Sequence, residues 1–203
     1  MKNRGRNFSK PNSMAGFSLL EVLISIVVLC IGLLGMVGLQ ASSLQANREA
    51  RLQSAGVALA RELGETIRSN PAAAALATGN PYLVATTSPL AATTPSYCLS
   101  VGSSCADTNA IANAQLTEWL ARVDAELPGA RVAVCFDASP YDSAGQPEWA
   151  CDPTNAGATL VIKIGWTRAA FSRGATAAGA TAPPPDRATH PSVVLPLAVL
   201  SGS

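Results

Sequence analysis

From Val22 to Asn47 the chain runs for 26 residues without one charged side chain. A helix needs about 20 apolar residues to cross a bilayer core about 30 Å thick, so this run is long enough to span a membrane. Its flanks sharpen the reading. Residues 1–16 carry Lys2, Arg4, Arg6 and Lys10 and no acid. Positive flanks stay in the cytoplasm, which places the chain beyond the run on the opposite, periplasmic side. At the entrance of the run stands Glu21. An ionisable group there costs on the order of 2–3 kcal/mol or more. It is by default a functional residue that needs a partner.

A secretory signal has an apolar region of about 7–15 residues, with a small-residue cleavage site after it. This run is longer and has a carboxylate at its start. The small residues Ala41-Ser42-Ser43 lie far from the basic leader, and Leu29, not a small residue, precedes Cys30 where a lipoprotein signal would need one. A plain membrane anchor would leave Glu21 without a purpose.

Gly16-Phe17-Ser18-Leu19-Leu20-Glu21, followed by Val22-Leu23-Ile24, resembles the class III signal of type IV pilins and type II secretion pseudopilins. The resemblance implies cleavage after Gly16 by prepilin peptidase and methylation of the new Phe17 amine. It gives Glu21 a partner, the Phe17 amine of a neighbouring subunit. Both groups must be desolvated, so the net gain is small and the expected value of the pair is register between subunits. The segment Cys30-Ile31-Gly32-Leu33-Leu34-Gly35-Met36-Val37-Gly38-Leu39-Gln40-Ala41 resembles more specifically the minor pilins called type IV pilus modification protein PilV. So does the order of parts from Tyr97 on: a cysteine pair, Leu116-Thr117-Glu118-Trp119-Leu120, Leu127-Pro128-Gly129, a strand with a cysteine, and a strand ending in tryptophan. The implied function is that of a low-abundance, non-catalytic pilin that primes pilus assembly within a tip complex. The implied partners are other minor and major pilins, prepilin peptidase, the inner-membrane assembly platform and a tip adhesin. The implied place is the inner membrane, crossed once, and then the pilus. Pseudopilin I of type II secretion has nearly the same amino-terminal motif and is the alternative.

Cleavage would remove four positive side chains and leave a mature chain of 187 residues with ten Lys and Arg against thirteen Asp and Glu. A weakly acidic chain has no electrostatic footprint for nucleic acid. Cys30 lies in the membrane run, where a packed, inert thiol is expected. Cys98, Cys105, Cys135 and Cys151 lie beyond it, an even number in an oxidising compartment. Four cysteines allow three connectivities, and local spacing favours Cys98–Cys105 and Cys135–Cys151. A metal site is the rival reading, but His190 is the single histidine and no Cys-x-x-Cys pair is present.

The chain divides into a leader (1–16), a transmembrane helix (17–39), an amphipathic continuation of that helix (40–69) and a periplasmic globular domain (70–203). No proline occurs from Phe17 to Ser69. Leu44, Leu52, Leu59, Leu63 and Ile67 recur at helical spacing, and Arg61 and Glu65 stand four apart on the polar side. Asn70-Pro71 is a stop. Gly32, Gly35 and Gly38 each cost roughly 1 kcal/mol against alanine. Membrane helices are richer in glycine than others. Close helix packing is the sharper reading, with Ser18, Ser25 and Gly32 on one seam. The pilin resemblance adds partial unwinding of the helix at these glycines inside the filament.

Residues 71–110, rich in Ala, Thr, Ser and Pro, predict an irregular connection. A second helix is predicted from Asn109 to Leu127, capped by Asp107 or Thr108 and ended by Pro128-Gly129, with Leu116, Trp119, Leu120, Val123 and Leu127 on one face. Strands follow at Arg131–Asp137, Thr159–Thr167 and Val193–Leu200, with loops at Ala138–Ala158 and Gly174–Pro191. Pro196 assigns the last strand to an edge or a bulge. The fold class is α+β: a long amino-terminal helix packed on a small antiparallel sheet with a second helix.

No catalytic constellation, cofactor motif or metal set stands out. His190 sits in a Pro-rich loop and reads as solvent-exposed. Asp137, Asp142, Glu148 and Asp152 gather in the loop that Cys135–Cys151 would close. Oxygen ligands suit calcium, but the loop lacks EF-hand spacing, and a solvated loop is expected. A membrane-anchored enzyme would need a nucleophile–base pair. A periplasmic ligand-binding module would show saturable binding.

Overall fold

The computed structural model describes residues 18–76, 78–154, 158–168 and 188–198. The chain forms two compact units, Met1–Ala46 and Asn47–Ser203. One helix, α1 (Leu19–Arg68), runs through both. Ser18 caps its start: the hydroxyl accepts the Leu20 N–H at 3.3 Å and the carbonyl accepts the Val22 N–H at 3.2 Å, which satisfies donors that the first turn leaves orphaned. Its end is set by Asn70-Pro71, because proline disfavours a helical residue before it. Asn70 then caps the short helix α2 (Pro71–Ala74) by accepting the Ala73 N–H.

In the first unit every described side chain of α1 is exposed. In the second unit α1 is amphipathic and buries Gly56, Leu59, Ala60, Leu63, Gly64 and Ile67. The apolar series was expected to begin at Leu44. Leu44 is 71% exposed, and packing begins at the half-buried Leu52.

The remaining elements are β1 (Val84–Thr87), α3 (Thr108–Glu126), β2 (Arg131–Asp137), β3 (Thr159–Gly165) and β4 (Val193–Leu197). The strands form one antiparallel sheet in the order β1-β2-β3-β4. The register pairs Val132 with Ile164, Val134 with Ile162 and Phe136 with Leu160. Side chains alternate across a strand, so these six share one face. With Trp166, Val193 and Leu197 they meet Leu59, Leu63 and Ile67 of α1 and Leu116, Trp119, Leu120 and Val123 of α3 in one core. The Trp119 indole donates to the Leu59 carbonyl at 2.9 Å, and Arg122 pairs with Glu62. Both contacts tie α3 to α1. Gly56 lets α1 approach the sheet: a Cβ there would stand 2.7 Å from Cζ3 of Trp166.

α3 starts where Asp107 accepts the Ala110 N–H at 2.7 Å, the capping geometry an aspartate favours. It ends before Pro128-Gly129. Gly129 has φ 56°, and a Cβ on it would lie 2.4 Å from Oγ1 of Thr167, so only glycine fits. Pro196 lies on β4, an outer strand, opposite Val161, where a missing N–H is tolerated.

The connection after α1 is more ordered than its composition suggests. Residues 71–110 contain α2 and the strand β1, both absent from the sequence expectation. Asn80 is buried and donates to the Ala74 carbonyl at 2.8 Å while accepting the Tyr82 N–H at 3.0 Å. That side chain turns the chain into β1, which pairs Val84–Thr87 with Arg131–Val134. β1 is only four residues long, too short to show alternation, and its partner strand defines it. The strand expected at Thr159–Thr167 ends at Gly165, and the one expected at Val193–Leu200 ends at Leu197. Most of the expected loop Gly174–Pro191 lies outside the described residues.

Candidate functional site

The residues singled out for function fall in both units. Gly16 and Phe17, at the proposed cleavage and methylation point, lie outside the described residues. Ser18 is the first described residue, and Glu21 sits in the first turn of α1. There a carboxylate complements the positive end of the helix dipole. The Glu21 carbonyl accepts the Ser25 hydroxyl at 2.7 Å, so Ser25 bonds within its own helix. The Glu21 carboxylate itself has no described partner and is exposed.

Gly32, Gly35 and Gly38 follow on a helix that stays α-helical through all three. A Cβ built on any of them meets nothing within 4 Å. Cys30 is a free, exposed thiol. Around these glycines stand bare apolar side chains, among them Ile31 at 66%, Leu34 at 73% and Leu39 at 74% exposure. An 18-residue window of α1 reaches a mean hydropathy of 2.9, which by length and composition suffices to cross a membrane. Such a helix leaves its backbone satisfied internally and its apolar side chains unmet, as lipid or other helices require.

In the second unit Cys98 is bonded to Cys105 and Cys135 to Cys151. The first bridge closes a loop against α3, where Ser96 N–H reaches Oγ1 of Thr117 at 3.1 Å. The second pins residues 138–152 over the reverse face of the sheet. Trp149 packs on Gly165, where a Cβ would lie 2.8 Å from its ring, and the Arg131 guanidinium stands 4.3 Å from the ring centre. Beneath this loop Lys163 and Asp137 are both fully buried, with Nζ 2.6 Å from Oδ2. Lys163 also donates to the Ala150 carbonyl at 2.6 Å, and Asp137 Oδ1 accepts the N–H groups of Ser139 at 2.9 Å and Asp152 at 3.1 Å.

This overturns the expectation of a solvated acidic loop at Asp137. Burial by itself raises the carboxyl pKa. The hydrogen bond from Lys163, the two backbone N–H groups and the ammonium charge outweigh it and hold the carboxyl below its ordinary value. Cys135, Asp137 and Cys151 offer atoms within 4.8 Å of one another. The two sulfurs are bonded to each other, however, and the carboxylate is committed to Lys163, so the donor set is not one a metal could use. Asp142 accepts the N–H groups of Ala144 and Gln146 and holds a turn. His190 is exposed, with Nδ1 2.9 Å from the Pro147 carbonyl. The buried lysine was not foreseen. The signal available was one charged residue, Lys163, inside an otherwise apolar strand.

The geometry thus leaves an exposed carboxylate, Glu21, and a bare apolar helix at the amino-terminal segment. Residues 11–37 match the family model described as the prokaryotic N-terminal methylation motif. The chain carries a type IV prepilin-like signal. No curated protein and no solved structure matches the chain. The matched stretch includes Gly16, Phe17, Glu21 and Gly32, and it supports a type IV pilin or pseudopilin. The α+β architecture of a long apolar helix, a second helix and a four-stranded antiparallel sheet is pilin-like.

Proposed function

We propose that this protein is a minor type IV pilin of the PilV kind, a structural subunit that helps to prime pilus assembly from within a tip complex. The observation that carries the reading is the methylation motif, which leads without a break into a bare apolar helix and from there into a separately packed, disulfide-bonded unit. In this reading prepilin peptidase cleaves after Gly16 and the Phe17 amine is methylated. The helix from 17 to 39 crosses the inner membrane once, 40–69 continues it, and the domain 70–203 lies in the periplasm. The subunit then joins other minor and major pilins at the assembly platform, with a tip adhesin among its partners. Glu21 pairs with the Phe17 amine of a neighbour and sets the vertical step between subunits. Gly32, Gly35 and Gly38 give neighbours close approach, since a Cβ at each would occupy open space that another helix could fill. The same features serve a minor pseudopilin I of type II secretion.

The test is the amount of this protein in sheared filaments relative to that in membranes, at equal expression. Glu21→Ala is expected to lower that ratio, while insertion, cleavage and disulfide formation proceed. Glu21→Gln, which keeps size but drops the charge, is expected to do the same. Equal ratios for wild type and both variants would remove the charge from assembly. Absence of the wild-type protein from sheared pili, with its presence in a secretion pseudopilus, would favour the pseudopilin.

A further inference from the structure

We propose that Arg48 and Arg51 form a binding site for anionic phospholipid headgroups where α1 leaves the membrane; this rests on the membrane reading of residues 17–39. The chain has no charge between Val22 and Asn47, and Arg48 and Arg51 are the first positive side chains after that run. They follow the exposed Leu44 by four and seven residues on one continuous helix. Three residues apart, they share a helix face. Both are exposed, and neither has a partner among the described residues. The acid between them does not cancel their charge. Glu49 is half-buried and paired elsewhere: the Arg168 guanidinium stands 3.2 Å from its carboxylate and also reaches the Ser192 hydroxyl at 3.2 Å. The next ionisable residue on α1 is Arg61, so no other acid on the helix competes for the pair.

Two free guanidiniums at the end of the charge-free run, about 13 and 18 Å along the helix past Leu39, fit phosphate better than any other neighbour there. Guanidinium binds phosphate oxygens in a bidentate fork, and its long stem lets the charge reach the headgroup layer while its methylenes stay on apolar surface. The pair would fix the depth at which the helix exits and add to the work of drawing the subunit out of the membrane. A basic residue near an anionic surface contributes on the order of a fivefold change in binding.

The test is native mass spectrometry of the full chain in neutral-detergent micelles holding equal phosphatidylglycerol and phosphatidylcholine. Wild type is expected to retain phosphatidylglycerol in preference. R48Q/R51Q should lower that preference about 25-fold, R48K/R51K should keep most of it, and R61Q should leave it unchanged. Equal lipid ratios for wild type and R48Q/R51Q would overturn the site, as would a loss in R61Q as large as in the double variant. A double variant that keeps its lipid but loses crosslinks to a neighbouring subunit would assign the arginines to subunit contacts and overturn it too. A wild-type chain that washes off membranes at alkaline pH would instead overturn the membrane reading on which the site rests.

Discussion

Replacing Asp137 with asparagine tests how the reverse face of the sheet is held. The substitution keeps size and an oxygen for the Ser139 and Asp152 N–H groups, which stand at 2.9 and 3.1 Å. What it removes is the charge 2.6 Å from Lys163 Nζ, and it turns an amide N–H₂ toward an ammonium. Lys163 is fully buried and among the described residues keeps only the Ala150 carbonyl. Leaving one member of a buried pair uncompensated costs about 3–5 kcal/mol, a large part of the roughly 5–15 kcal/mol that holds a domain together. D137N should therefore unfold at a much lower urea concentration. The assay is urea titration of the full chain in micelles, read by tryptophan fluorescence. All three tryptophans, Trp119, Trp149 and Trp166, lie in the second unit, and Trp149 sits on the loop that the pair anchors.

The decisive variant is the double one. D137N/K163M removes both charges and keeps the oxygen for the two N–H groups, at the cost of the Lys163 donor to the Ala150 carbonyl. It should be more stable than D137N alone, because a second substitution that removes an orphaned charge restores part of what the first cost. If D137N costs less than about 1 kcal/mol, or if K163M lowers its stability further, the pair is not what holds the loop. The same pair sets a pH dependence. The folded carboxyl titrates below its unfolded value, so its contribution is complete at neutral pH and is lost as pH falls through the folded value. Acid unfolding of wild type should show this dependence below about pH 4, and D137N should lack it.

Amino-terminal mass spectrometry of the mature protein should find a start at Phe17 and one added methyl group; an intact leader, or a start after Ser43, would refute the pilin reading. Non-reducing peptide maps should join Cys98 to Cys105 and Cys135 to Cys151 and leave Cys30 free, and loss of the larger loop's bridge by C135A/C151A should cost about 3 kcal/mol. Gly56→Val should destabilise the second unit by about 1–3 kcal/mol in the same urea assay, since its side chain would drive into the rigid, buried ring of Trp166.

Much of the architecture was legible because long elements repeat their signal. The spacing of Leu52, Leu59, Leu63 and Ile67 reads as a helix face, and Leu116, Trp119, Leu120 and Val123 read as another; each set is buried or half-buried in the core. β2 and β3 could be read because Val132, Val134, Leu160, Ile162 and Ile164 alternate. β1 could not: Val84-Ala85-Thr86-Thr87 is too short, and its pairing with β2 is a tertiary contact that no local window contains. Leu44 fits the helical series but lies before the point at which anything packs on α1, and periodicity alone does not say where packing starts. Arg61 and Glu65 have the spacing of an ion pair, yet Glu65 bonds to Arg68, because exposed helix charges choose among several partners at little cost. Lys163 was legible only as an exception within β3.

The amino-terminal segment was legible for a different reason: its signal is a linear motif. A linear motif is matched residue by residue, so the stretch that holds Gly16, Phe17 and Glu21 needs no tertiary context to be matched. The two units also meet their demands in different ways. In Asn47–Ser203 the core is closed, and even the charges of Lys163 and Asp137 find partners inside. In residues 18–46 the backbone is satisfied, but every side chain is exposed. The first unit's large apolar surface must be covered by lipid or by other helices. A substitution in the first unit should therefore alter insertion or assembly and leave the second unit's unfolding unchanged. That separation is what makes Glu21→Ala an interpretable variant, because a fall in filament incorporation cannot be traced to an unfolded domain if the urea midpoint stays at the wild-type value.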